Sequence, residues 1–157
     1  MSRVPGRPRF VTSRADFMAP WTSDVRRPMS GEVGHFEIPA DQTDRARKFY
    51  ASTFGWKMNE MPGFDYTMVS TGPVNAQGSP TEPGSIGGGI GKRGGPLEHP
   101  VVTILVDDIA AVEKTIEKHG GKIVQRKQPI GDGSMGFTGY FKDTEGNTVG
   151  LYQAPKK

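Results

Sequence analysis

His35 and Glu37 stand two residues apart in Glu32 to Ile38, a stretch that reads as a β-strand. Side chains alternate across a strand, so this imidazole and this carboxylate point to one face. Such a pair can grip a polar group inside an apolar cleft or act as general acid and base. It can also begin a site for a divalent cation, which needs three or four ligands to replace its hydration. A third donor is available in His99, just ahead of the β-branched run Pro100 to Val106. His35, Glu37 and His99 would together have the composition of a two-histidine, one-carboxylate site. A structural role for His35 competes with these: an imidazole packed on an apolar sheet and satisfied by Glu37. The carboxylate would then favour the charged ring and burial would oppose it. Thr103, Tyr66, Met68, Tyr140 and Tyr152 are candidates to line the same cleft, with ordinary core packing the alternative for each. His119 ends a helical stretch, where a cation suits the helix dipole, and reads as structural.

Other chemistries are excluded. The chain has no cysteine, which removes disulfides, thiolate catalysis and cysteine-based zinc sites and fits a reducing compartment. Gly89-Ile90-Gly91-Lys92-Arg93-Gly94 matches the dinucleotide fingerprint formally. That fingerprint works only where a helix follows and its N–H groups meet the pyrophosphate; here Gly95-Pro96 and His99-Pro100 follow. The phosphate-loop pattern fails as well, with Ile86 in the first glycine position and Arg93 in place of Ser or Thr. No serine sits in a nucleophile elbow, and no acid pair stands out as a hydrolase dyad.

The formal charge of +3 comes from 20 basic and 17 acidic residues, unevenly placed. Residues 1–29 hold six arginines (Arg3, Arg7, Arg9, Arg14, Arg26, Arg27) against Asp16 and Asp24, leaving 14 basic and 15 acidic residues elsewhere. The remainder is near neutral, so a nucleic-acid partner is not expected for it; an Arg-rich leader acting on nucleic acid is the third-ranked function. Residues 1–29 show no sustained period and four prolines, and read as an irregular basic extension. It faintly resembles a transit peptide, and a true start at Met29 is an equal alternative. Phe10, Phe17 and Trp21 could dock it. No apolar run approaches a membrane span or a signal-peptide core, so the expectation is a cytoplasmic protein with no membrane partner.

From Glu32 onward the elements can be placed. After the first strand, ended by Pro39-Ala40, Asp41 or Thr43 can cap a helix carrying Ala46, Phe49, Tyr50 and Thr53, which Gly55 stops. Strands follow at Trp56 to Glu60, Asp65 to Ser70 and Ser85 to Lys92. The order then repeats. Pro100 to Val106 reads as a strand, Asp107 or Asp108 caps, and Ile109, Val112 and Ile116 mark a helix face. Gly120-Gly121 stops it, and Lys122 to Lys127, Gly136 to Lys142 and Thr148 to Gln153 read as strands. Phe54-Gly55-Trp56-Lys57-Met58 and His119-Gly120-Gly121-Lys122-Ile123 correspond at an offset of 65 residues. That echo is the internal sign of a duplication. The expected fold is α+β: two tandem βαβββ modules, about 32–94 and 98–154 within a domain of 30–157, forming a curled mixed sheet around a cleft.

Gly34-His35-Phe36-Glu37-Ile38-Pro39, Arg45 to Tyr50 and Phe54-Gly55-Trp56 resemble the first module of the vicinal oxygen chelate (glyoxalase/bleomycin-resistance/dioxygenase) superfamily. Val106-Asp107-Asp108 and Tyr140 to Asn147 resemble its second. The nearest likeness is to the branch of predicted enzymes related to lactoylglutathione lyase. The superfamily's metal enzymes hold one divalent ion with His or Glu from the first and last strands of each module. By that resemblance His35 occupies one ligand position, while the others fall on Val101, Gly150 and the glycines 87–91, which cannot coordinate. The resemblance therefore implies a protein of undetermined activity that binds or transforms a small organic molecule without a complete metal site or other cofactor. His35, Glu37, Thr103 and Tyr152 are its expected ligand-binding residues. The alternative is a metal-dependent lyase, isomerase or dioxygenase with a rearranged site. A homodimer is expected, since the family commonly completes its clefts across chains.

Overall fold

The computed structural model describes residues 31–156. The reading of residues 1–29, with Phe10, Phe17 and Trp21, lies outside the described residues. The first module runs β1 (Glu32–Ala40), α1 (Thr43–Phe54), β2 (Lys57–Glu60), β3 (Tyr66–Ser70) and β4 (Gly87–Lys92). The second runs β5 (Val101–Leu105), α2 (Ile109–Lys118), β6 (Lys122–Pro129), β7 (Phe137–Lys142) and β8 (Thr148–Gln153). This is the expected α+β arrangement of two βαβββ units.

All eight strands join in one sheet, ordered β2-β3-β4-β1-β5-β8-β7-β6. β1 lies parallel to β4 and β5 parallel to β8, while β1 and β5 pair antiparallel at the centre. The two halves therefore mirror one another about the β1–β5 seam. The sheet curls strongly. The β2–β3 turn and the β6–β7 connection belong to opposite edges, yet the Phe64 ring lies 3.3 Å from where a Cβ at Gly131 would stand.

Both helices cover the outer face. Under α1, Ala40, Val69 and Ile90 pack with Phe36, Ile38, Tyr50 and Trp56; under α2, Val106, Ile109 and Leu151 pack with Ile104, Val112 and Ile116. The Tyr50 and Trp56 rings stack at 4.9 Å with planes 7° apart, which seats the end of α1 on the sheet. A third small cluster, Leu97, Val101 and Tyr140, forms on the opposite, inner face.

Local chemistry explains where the boundaries differ from expectation. β1 continues through Pro39 and Ala40 because its pairing with β5 ends at Glu37, so the missing Pro39 N–H faces no β5 partner. Neither Asp41 nor Thr43 caps α1. The N-cap is Gln42, without a side-chain bond, while the Asp41 carboxylate takes the Arg93 Nε–H at 2.9 Å. Gly55 stops α1 at φ 71°, a left-handed conformation that suits glycine. At α2 the ambiguity resolves to Asp108, whose carboxylate accepts from the N–H groups of Ala110 and Ala111. Glu113, on the buried side of α2, accepts from the Lys127 N–H at 2.6 Å and from Arg126, tying the helix to β6.

Loss of that cap has a predictable cost. Asp108→Ala is expected to lower unfolding free energy by about 1 kcal/mol in urea denaturation, and Asp107→Ala by clearly less. Equal effects would contradict the assignment.

Candidate functional site

Ladder register places the candidate residues on one surface. His35 pairs with Gly87 on one side and Thr103 on the other; Glu37 pairs with Gly89 and Val101. Thr103 pairs with Gly150, which pairs with Tyr140. Met68 and Tyr66 face Gly89 and Gly91 from β3. Paired residues share a face, so the inner surface of the curl carries His35, Glu37, Tyr66, Met68, Val101, Thr103, Tyr140 and three bare glycines of β4.

Glu37 is the centre of this surface and is only 8% exposed. Its Oε2 accepts from the Tyr140 hydroxyl at 2.7 Å, and its Oε1 from the Tyr66 hydroxyl at 3.2 Å. The Tyr66 oxygen also lies 2.9 Å from His35 Nε2. A phenol has one proton to give; with it on Glu37, Tyr66 accepts from His35, which fixes the Nε2–H tautomer. The order is then imidazole to phenol to carboxylate, with the second phenol closing the other oxygen. His35 is thus linked to Glu37 through Tyr66 and not directly.

The glycines make this possible. A Cβ at Gly89 would collide with the Tyr66 ring and hydroxyl, and one at Gly91 would stand 3.1 Å from the same ring. The Tyr66 ring therefore lies against β4 at Gly89 and Gly91, where a side chain at Gly89 would expel it. On the opposite side of the seam a Cβ at Gly150 would press into the Thr103 side chain.

Burial sets the protonation states. It lowers the His35 pKa from an ordinary 6.5 to about 4, so the ring is neutral at neutral pH. It raises that of Glu37, while the bonds from Tyr140 and Tyr66 pull the other way. Tyr66 and Tyr140 are both raised, first by burial and then by the neighbouring Glu37 charge, so each remains a donor.

The remaining candidates divide. Thr103 is buried beside His35 on β5. Tyr152 shares the face, but its hydroxyl donates to the Met135 carbonyl at 3.0 Å and so braces the β6–β7 connection. His99 is exposed in the turn before β5. Among the described residues no three His, Asp or Glu side chains come together as a cation site, so the His35–Glu37–His99 grouping does not form. The physical reason is that β5 begins only at Val101, leaving His99 off the ladder. Sequence reading passed over Leu97, which folds onto Val101 and Tyr140 from the link between modules. Its signal was a lone apolar residue in a Gly- and Pro-rich turn. An open cavity of about 430 Å³ lies on the α1 side of the sheet, between the start of α1 (Thr43, Asp44, Arg47) and the β2–β3 turn as far as Tyr66, and apart from Tyr66 it is lined by none of these candidates.

Comparisons with known proteins agree with this architecture. Residues 33–72 match the family described as bleomycin resistance protein-like N-terminal. A glyoxylase-like domain-containing protein of Didymella fabae is 34% identical over 133 residues, 82% of this chain and 98% of that protein. A provisionally named glyoxylase, CFP32, of Mycobacterium tuberculosis is 34% identical over 132 residues, 79% of this chain; the match spans 46% of that relative's length. Among solved structures, a methylmalonyl-CoA epimerase of Streptomyces coelicolor in complex with 2-nitronate-propionyl-CoA superposes with TM-score 0.57 at 12% identity. That match covers 81% of this chain and 99% of the epimerase. The chain belongs to the vicinal oxygen chelate superfamily, as a glyoxalase/bleomycin-resistance-like protein.

The His35 environment predicts a pH signature. Below about 6.5 the unfolded chain takes up a proton that the folded ring refuses until about pH 4. His35 therefore makes stability fall as pH drops through that window and level off below it. In NMR titration the His35 imidazole should titrate near pH 4, and His35→Asn should flatten the stability loss between the two values. A midpoint near 6.5 would contradict the buried, neutral ring.

Proposed function

We propose that the protein binds a small organic molecule on the inner face of its curled sheet, without a resident metal ion. The observation that carries the reading is the use already made of the donors. Both Glu37 oxygens and His35 Nε2 are engaged by phenol hydroxyls and do not converge on an open point between them. The other superfamily ligand positions hold Val101, Gly150 and the β4 glycines, so a cation would find two partly spent ligands. The surface around these groups, with Val101, Leu97 and Thr103, is partly apolar and curved, which suits an organic ligand better than a cation.

Recognition suits this pair better than proton transfer. An imidazole whose pKa is lowered to about 4 by burial is a weak base, and both Glu37 oxygens are already held by phenol hydroxyls. We also propose that two copies pair. β2 and β6 are edge strands, and Phe49, Phe54 and Val102 are about half exposed on the outer face.

Three measurements test these readings. Protein stripped with chelator and reloaded with nickel, zinc, manganese or iron should retain far less than one ion per chain. A compound found by thermal shift in a screen that includes CoA esters and aromatic compounds should bind at least roughly tenfold more weakly to His35→Ala and Glu37→Gln. One tightly held ion per chain, or binding indifferent to both variants, would overturn the first proposal. Sedimentation at the mass of a single chain would overturn the second.

A further inference from the structure

The space between His35 and Glu37 on the inner face is filled by a side chain of the protein itself. The Tyr66 ring lies on the β4 glycines, beside Leu97, which comes within 2.9 Å of a Cβ position at Gly91. Its hydroxyl sits between His35 Nε2 at 2.9 Å and Glu37 Oε1 at 3.2 Å. A flat floor without side chains, with one donor and one acceptor at its end, is the complement of a ring bearing a hydroxyl group. We propose that this slot is a binding site for small hydroxylated aromatic compounds, and that Tyr66 is the side chain they displace. The proposal rests on the inner face being a small-molecule site.

Three features support displacement over permanent packing. Exchanging one phenol for another preserves the hydrogen bonds to His35 and Glu37, so the buried carboxylate is never left with a partner missing. Tyr140 holds the second carboxylate oxygen at 2.7 Å, so Glu37 keeps its place during the exchange. Tyr66 is also the first residue of β3, directly after the exposed turn 62–65, where Gly63 has φ 80°.

The test uses the full chain and 4-methylphenol, the tyrosine side chain as a free molecule, with toluene as the analogue lacking the hydroxyl. Calorimetry or ligand-observed NMR should show saturable binding of 4-methylphenol to the unaltered protein at roughly millimolar strength, as expected for so small a ligand. Toluene should bind at least roughly tenfold more weakly, for want of the hydrogen bonds. Tyr66→Ala should bind 4-methylphenol at least tenfold more tightly, and adding Glu37→Gln should remove most of that gain. Should Tyr66→Ala not fold, Tyr66→Phe keeps the ring, loses its anchor, and should also bind more tightly than the unaltered protein. No saturable binding by the unaltered chain, equal affinity for toluene, or no gain in the Tyr66 variants would overturn the proposal. The broader reading fails separately. Binding of a non-aromatic compound that His35→Ala abolishes would keep the inner-face site and sink only the aromatic assignment. Silence towards every compound would sink both.

Discussion

A carboxylate taken out of water and left without donors is among the costliest things a fold can contain. Glu37 would be such a group without its two phenol partners, and the inner face is organised around satisfying it. Tyr66 reaches it from β3 of the first module and Tyr140 from β7 of the second. Both can do so because β1 lies at the centre of the sheet, next to the seam between the modules. The two phenols thereby tie the halves of a duplicated fold to one shared acid. His35 joins as the outermost member, bonded to the phenol and not to the carboxylate.

The glycines of β4 belong to the same arrangement. In a side-chain inventory they look like a loss, since the resemblance to the superfamily leads one to expect groups that bind there. In three dimensions the space above them is occupied. Tyr66 lies over Gly89 and Gly91, and Phe36 presses on Gly88 from the outer face. Substituting a larger residue at Gly89 would expel the ring and leave Glu37 with one donor. The bareness of the strand and the burial of the acid are therefore one structural fact. This also explains what covers a strand with few side chains: the mass comes from a neighbouring strand and from Leu97 in the link between modules.

Much of the fold was legible in the sequence, for reasons that are local. The helix stops at Gly55 and Gly120, the face of Ile109, Val112 and Ile116, and the 65-residue echo each reflect constraints carried by a few neighbouring residues. The pairing of His35 with Glu37 on one face follows from alternation alone. What could not be read was which face Tyr66 and Tyr140 would take, because that depends on register between strands far apart in the chain. The same limit hid the role of the glycines, while the His99 option failed for a local reason, the start of β5 at Val101. Tyr152 illustrates the boundary: its face follows from alternation with Gly150, but its bond to Met135 depends on how the β6–β7 connection folds back.

The central claim is that Glu37 and the phenols act as one buried unit, and a double-mutant cycle measures it directly. Unfolding free energies of the unaltered chain, Glu37→Gln, Tyr140→Phe and the double variant should reveal a coupling of about 1–3 kcal/mol, the range for a hydrogen bond to a charged group. Additive effects, with coupling near zero, would mean that the carboxylate and the phenol are mere neighbours and that the organisation described for the inner face is wrong.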